Sequence, residues 1–145
     1  MAVLFVRHAE AGDRNRWEGP DEHRPLSPQG QAQAGGLVGV LAGFRLARVL
    51  SSPYLRCTQT VEPVAAARGL AVEPTNDLAE GAGRAGLTLV RSLLEGASYV
   101  ALCTHGDVME DVLDGLRVRR SKETEKGATW VLDAGAAARY LPPPG

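Results

Sequence analysis

Two stretches of five residues, Ala2-Val-Leu-Phe-Val6 and Tyr99-Val-Ala-Leu-Cys103, are apolar at every position. A strand with one wet face alternates polar and apolar residues. A run with no polar position needs cover on both faces, as in a parallel sheet sandwiched between helices. Each run stops at a polar residue followed directly by histidine, Arg7-His8 and Thr104-His105.

The segments between these runs supply the cover. Ser27-Pro28 opens a helix: serine caps, and proline fits the first helical position. Its stripe of Ala34, Leu37, Val38 and Leu41 runs toward Gly43. Leu46–Leu50 reads as a second strand, and Tyr54–Arg68 as a helix closed by Gly69. Ala71–Val72 is predicted as a brief third strand, and 74–86 as a glycine-rich loop. Leu87–Leu94 is predicted helical, ending at Gly96. Gly106–Leu116 carries the stripe Val108, Val112, Leu113 and Leu116. Residues 117–126 are charged and predicted exposed. Thr129–Leu132 and Ala136–Leu141 read as a terminal strand pair, and the Pro142-Pro-Pro tail cannot extend a sheet. Alternating strands and helices predict an α/β fold. The expected architecture is a three-layer sandwich: a mainly parallel central sheet flanked by helices, with the C-terminal strand pair. With 145 residues, residues 1–145 are expected to form one domain around one core.

Composition narrows the partners. Sixteen basic residues against seventeen acidic ones give a net charge of −1, so neither nucleic acid nor an anionic membrane is an expected partner. No apolar run approaches the roughly 20 residues of a membrane span. Cys57 and Cys103 show no zinc spacing and no disulfide framework. The start of the chain lacks the basic and cleavable regions of a signal peptide, so a cytoplasmic location is expected. Fourteen arginines against two lysines, with 21 alanines, match the bias of a GC-rich bacterial genome.

In open sheets of this kind, sites form beyond the carboxyl ends of the strands. Arg7-His8, Ser51-Ser52 and Thr104-His105 fall there. Either histidine alone reads equally well as a loop or helix-cap neighbour; two at two strand ends of one sheet are harder to dismiss. Gly106 lets the backbone approach a ligand closely, and the helix it opens offers free N–H groups to an anion. Arg56 lies in the first turn of a helix, where a cation opposes the dipole. That placement makes sense beside an anion, although a solvated arginine is the plainer reading. Glu80 alone is an exposed glutamate in a loop. Residues 9–25 form a long polar loop, more often functional than idle in so small a domain. Its Trp17 has no local apolar periodicity, and packing is favoured for it over ligand contact.

Taken together, Val6-Arg7-His8-Ala9-Glu10, Ser52-Pro-Tyr-Leu-Arg56-Cys-Thr-Gln-Thr60, Leu78-Ala-Glu80-Gly81 and Thr104-His105-Gly106 resemble the histidine phosphatase superfamily, in that family's order. Arg24-Pro-Leu-Ser-Pro-Gln-Gly30 adds to the likeness. The chain is similar to the small branch that includes bacterial phosphohistidine phosphatases. It also resembles the phosphatase domain fused to Nudix hydrolases in some actinobacteria. The resemblance implies that His8 is the nucleophile and that Arg7, Arg56 and His105, with the Gly106 backbone, bind the phosphoryl oxygens. It implies Glu80 as proton donor; should the acid be another residue, Glu10 and Asp107 are the next to test. Ala9 stands where the mutase-like pattern has glycine, and the long insertions that close over a small substrate are missing.

The expected function is a metal-independent phosphatase, without cofactor, working through a phosphohistidine intermediate. A phosphohistidine on a partner protein is the favoured substrate, because a short chain leaves the pocket open. The alternative is a small molecule, a nucleotide or sugar phosphate. Glu80 leans that way, since an alkoxide needs an acid to leave, and Arg14, Arg16 and Trp17 could hold further phosphates or a base. A non-catalytic phosphate-binding module is the reading from another class.

Overall fold

The computed structural model describes residues 2–135 and 138–145. A six-stranded sheet is built from β1 (Ala2–Arg7), β2 (Leu46–Ser51), β3 (Val72–Pro74), β4 (Tyr99–Thr104), β5 (Thr129–Asp133) and β6 (Arg139–Leu141). Its order is β3-β2-β4-β1-β5-β6. The first four in that order are parallel, and β5 and β6 add antiparallel at one edge. Four helices cover it: α1 (Pro28–Val40), α2 (Leu55–Ala67), α3 (Gly83–Leu94) and α4 (Gly106–Gly115).

β1 shows why its sequence had to be wholly apolar. Ala2, Leu4 and Val6 point to one face, where they meet Leu37 and Leu41 near α1 and Val61 of α2. Val3 and Phe5 point to the other, against Val90 of α3 and Val108, Met109 and Val112 of α4. The period-two alternation of a strand thus divides one run between two cores. The expected three-layer α/β architecture is the one observed.

Three local expectations change. The third strand is Val72–Pro74, not Ala71–Val72; Pro74, which cannot donate to a ladder, is tolerated because β3 is an edge strand. α3 begins at Gly83, inside the segment predicted as loop. Its two early glycines lower helix propensity but fit tight packing. A Cβ on Gly83 would lie 2.1 Å from Asp111 Oδ2, and one on Gly86 2.8 Å from Val108 Cγ1. Residues 117–126 are not uniformly exposed: Thr124 is buried. β6 is described from Arg139, and the Ala136 and Ala137 of the predicted strand lie outside the described residues. Among the described residues no helix is long and apolar enough to cross a membrane.

Candidate active site

Parallel pairing sets three carboxyl ends side by side. Arg7 is in register with Thr104, and Ser51 with Cys103. Just beyond, the His8 N–H donates to Thr104 O at 3.0 Å and the Ser52 N–H to Cys103 O at 2.9 Å. These bonds carry the chain past the sheet in fixed geometry, so His8, Ser52 and His105 emerge together.

His8 is buried. Its Nδ1 lies 2.7 Å from Ala9 O. A carbonyl can only accept, so Nδ1 carries the proton and Nε2 keeps the lone pair. The pKa is lowered to about 3. Burial is the main cause. The bond to Ala9 works the other way, and the His105, Arg56 and Arg7 charges lower it further. His8 is therefore a neutral imidazole at neutral pH.

His105 packs edge-on to His8, ring centroids 5.6 Å apart. Its Nε2 lies 2.8 Å from Ser52 Oγ and 3.6 Å from Cys57 Sγ. Tyr54 supports the ring from the side, centroids 4.6 Å apart. The other ring nitrogen, Nδ1, is buried without a partner.

The two arginines are each held by their terminal nitrogens. Arg7 donates from Nη1 to Thr124 O at 2.5 Å. Its guanidinium fills the space over Gly106, where a Cβ would lie 2.8 Å from Nη2. Gly106 thus makes room for Arg7, and it also lines the cleft. Arg56 is fully buried. It donates from Nη1 to Asp21 O and from Nη2 to Asp21 Oδ2, both at 2.9 Å. The Nε of both arginines is buried and unpartnered.

Leaving a buried donor unpaired costs about 1–3 kcal/mol, more for a charged group. With the Ser52 hydroxyl donating to His105 Nε2, the ring proton sits on Nδ1, and Arg7 Nε, Arg56 Nε and His105 Nδ1 together are a set of donors suited to an oxyanion. Arg7, His8 and His105 line a cleft of about 780 Å³ with Arg24, Glu80 and Asp107. Among the described residues no group of acidic, histidine or cysteine side chains is arranged to hold a metal ion.

Glu80 stands at the cleft, its side chain 33% exposed, with Oε1 2.6 Å from Arg14 Nη2 and 3.6 Å from Arg56 Nη2. Asp107 also lines the cleft and accepts from the Gly81 N–H. Glu10 turns back onto its own loop, accepting from the Gly12 N–H, and lies 3.6 Å from Lys126. Arg14 lines the cleft; Arg16 and Trp17 do not. They border a separate shallow depression. Arg16, 89% exposed, pairs with Asp13, and the Trp17 indole donates to Pro20 O.

Three contributors escaped the sequence reading. Asp21 holds Arg56, Arg24 lines the cleft, and Thr124 holds Arg7. An acid three residues before Arg24 is a local signal for their pairing, 3.0 Å here. Nothing local announces that Asp21 also reaches a residue 35 positions on.

Comparison with known proteins shows the family. Residues 3–86 match the histidine phosphatase superfamily (branch 1). An 8-oxo-(d)GTP phosphatase of Mycolicibacterium smegmatis is 36% identical over 98% of this chain. The chain spans about half, 48%, of that relative's length. Among solved structures, the protein histidine phosphatase SixA complexed with tungstate superposes with a TM-score of 0.80 at 23% identity, covering 100% of this chain and 97% of that one. A mycobacterial glucosyl-3-phosphoglycerate phosphatase reaches 0.73 at 16% identity, over 96% of each chain. At these identities the structural likenesses speak to the fold.

Proposed function

The chain belongs to the histidine phosphatase superfamily as a phosphate ester hydrolase, and on that premise we propose that it transfers the phosphoryl group to His8 Nε2 and then to water, without a metal ion. The observation that carries this reading is the His8 ring itself: Nδ1–H held by Ala9 O, Nε2 unprotonated, beside three unpartnered buried donors. Nε2 attacks phosphorus in line as the bond to the leaving oxygen breaks, which splits one hard displacement into two easier ones. Arg7 Nε, Arg56 Nε and His105 Nδ1 donate to the equatorial oxygens, where the transferring group concentrates its charge. Glu80 gives a proton to the leaving oxygen, then takes one from the water that attacks phospho-His8. Inorganic phosphate leaves, and neutral His8 is restored.

The placement of Glu80 favours a phosphate ester of a small molecule. A phosphoimidazole departs as a readily protonated ring and needs no acid, whereas an alkoxide does. The likeness to an 8-oxo-(d)GTP phosphatase supports the same reading. Phosphohistidine on a protein is the second reading, and the cleft of about 780 Å³ favours it, being roomy enough to admit a side chain presented by a partner.

Glu80→Gln separates the two. Proton donation is worth about 10²–10⁴-fold for a poor leaving group. The variant is expected to lose that factor in kcat/KM on an alkyl phosphate and almost nothing on phosphohistidine. If the wild type acts only on phosphohistidine, the ester reading is wrong. If Glu80→Gln is harmless on both, the acid is another residue, and Asp107 in the cleft is next to test.

A further inference from the structure

The long loop of residues 9–25 is tied into the phosphoryl site through one carboxylate. Asp21 Oδ2 accepts from Arg56 Nη2, its backbone oxygen accepts from Arg56 Nη1, and Oδ1 accepts from Arg24 Nε at 3.0 Å. Arg14 Nε lies 3.6 Å from the same Oδ1. Arg56 is fully buried, and each of its terminal nitrogens spends one of its two hydrogens on Asp21. The nitrogen wholly without a partner is Nε, which is buried.

Building on the phosphatase reading above, we propose that Asp21 is a positioning residue: it grips the far end of the Arg56 guanidinium so that Nε faces the transferring phosphoryl group. The grip is a charge-assisted pair, the strong and directional kind. A planar guanidinium held at two nitrogens has no rotational freedom left, so Nε–H is aimed in advance of binding. Arg24 and Arg14 share the carboxylate. One carboxylate thus ties Arg56 to Arg24 and lies beside Arg14, whose Nη2 is paired with Glu80. Arg7 is held at one nitrogen, Nη1, by Thr124 O in place of a carboxylate.

The test is a double-mutant cycle read by binding of orthovanadate in calorimetry, with thermal melts to confirm folding. Asp21→Asn is close in shape but turns an amide toward Arg56. It is expected to weaken vanadate about ten- to hundred-fold, the worth of one hydrogen bond to a charged group. Arg56→Ala alone should weaken binding at least as much. In the Arg56→Ala background, Asp21→Asn should then change the dissociation constant less than about three-fold, because its effect passes through Arg56. Equal losses in both backgrounds would overturn the proposal, since Asp21 would then act on the fold or on the anion directly. No loss from Asp21→Asn in the wild-type background would overturn it too. The readout is a bare oxyanion, so the cycle reports on Asp21 even if no ester is hydrolysed. A null effect of Arg56→Ala removes Asp21's route of action and overturns the phosphate-site reading as well.

Discussion

A histidine that attacks phosphorus must be unprotonated, and the nitrogen carrying its lone pair must be the one that meets the substrate. His8 meets the first condition through burial and the second through a single carbonyl. The two have a measurable consequence in pH. The folded-state pKa of about 3 lies below the ordinary 6.5. Below pH 6.5 the unfolded chain takes up a proton that the folded chain refuses. Stability from this residue is therefore complete above about 6.5 and drains away as the pH falls toward 3. At pH 5 the loss is about 2 kcal/mol. His8→Asn, which cannot titrate, should gain on the wild type by about that amount between pH 7.5 and pH 5 in denaturant melts. A gap that stays constant would mean that His8 is not held neutral. The same variant should show no phosphoenzyme and no turnover. In the wild type, kcat/KM should carry no acid limb near 6.5 that belongs to the nucleophile.

At the scale of elements, α1 holds two kinds of glycine, and they should respond oppositely to the same change. Gly30 sits where a Cβ would fall 1.9 Å from Glu10 O, a backbone atom. The Glu10 carbonyl is also the acceptor of the Ser27 N–H, so it cannot retreat without loosening the segment that leads from His8. Gly30→Ala should therefore cost about 1–3 kcal/mol despite the better helix propensity of alanine. Gly35 is exposed in mid-helix with nothing within 4 Å of its Cβ position. Gly35→Ala should stabilise by about 0.4–1 kcal/mol. Chemical denaturation of the two variants checks both signs. The contrast also shows what could be read beforehand. β1 and β4 were legible because burial on both faces leaves no room for a polar residue, and α1 because Ser27 and Pro28 mark its start in local chemistry. The beginning of α3 was not: Gly83 and Gly86 are there for the side chains of Asp111 and Val108, a tertiary demand that overrides propensity. His8, Arg7, Arg56 and His105 were legible as a motif, and the geometry brings them together. Asp21 and Thr124 were not, because each acts only by what it holds, far off in the chain.

For the molecule as a whole, the sheet order gathers the ends of β2, β4 and β1 into one spot and leaves buried donors there without partners. An oxyanion that fills the spot binds the folded state alone, so it should stabilise every element that contributes a donor. Vanadate suits the test because its trigonal bipyramid copies the geometry of phosphoryl transfer. At one hundred times its dissociation constant it should add about 2.7 kcal/mol. For a chain of 145 residues that amounts to a rise of about 10 °C in Tm. The proposed chemistry uses only side chains of this protein. The rise, and the hydrolytic rate, should therefore survive treatment with a chelator that is then dialysed away. His105→Ala and Arg56→Ala should each shrink the rise, since each removes one of the waiting donors. Vanadate that leaves Tm unmoved while still inhibiting would place its site elsewhere. A rise that vanishes after chelation and returns with Mg²⁺ would mean that a metal ion, and not the arginine and histidine donors alone, completes the oxyanion site.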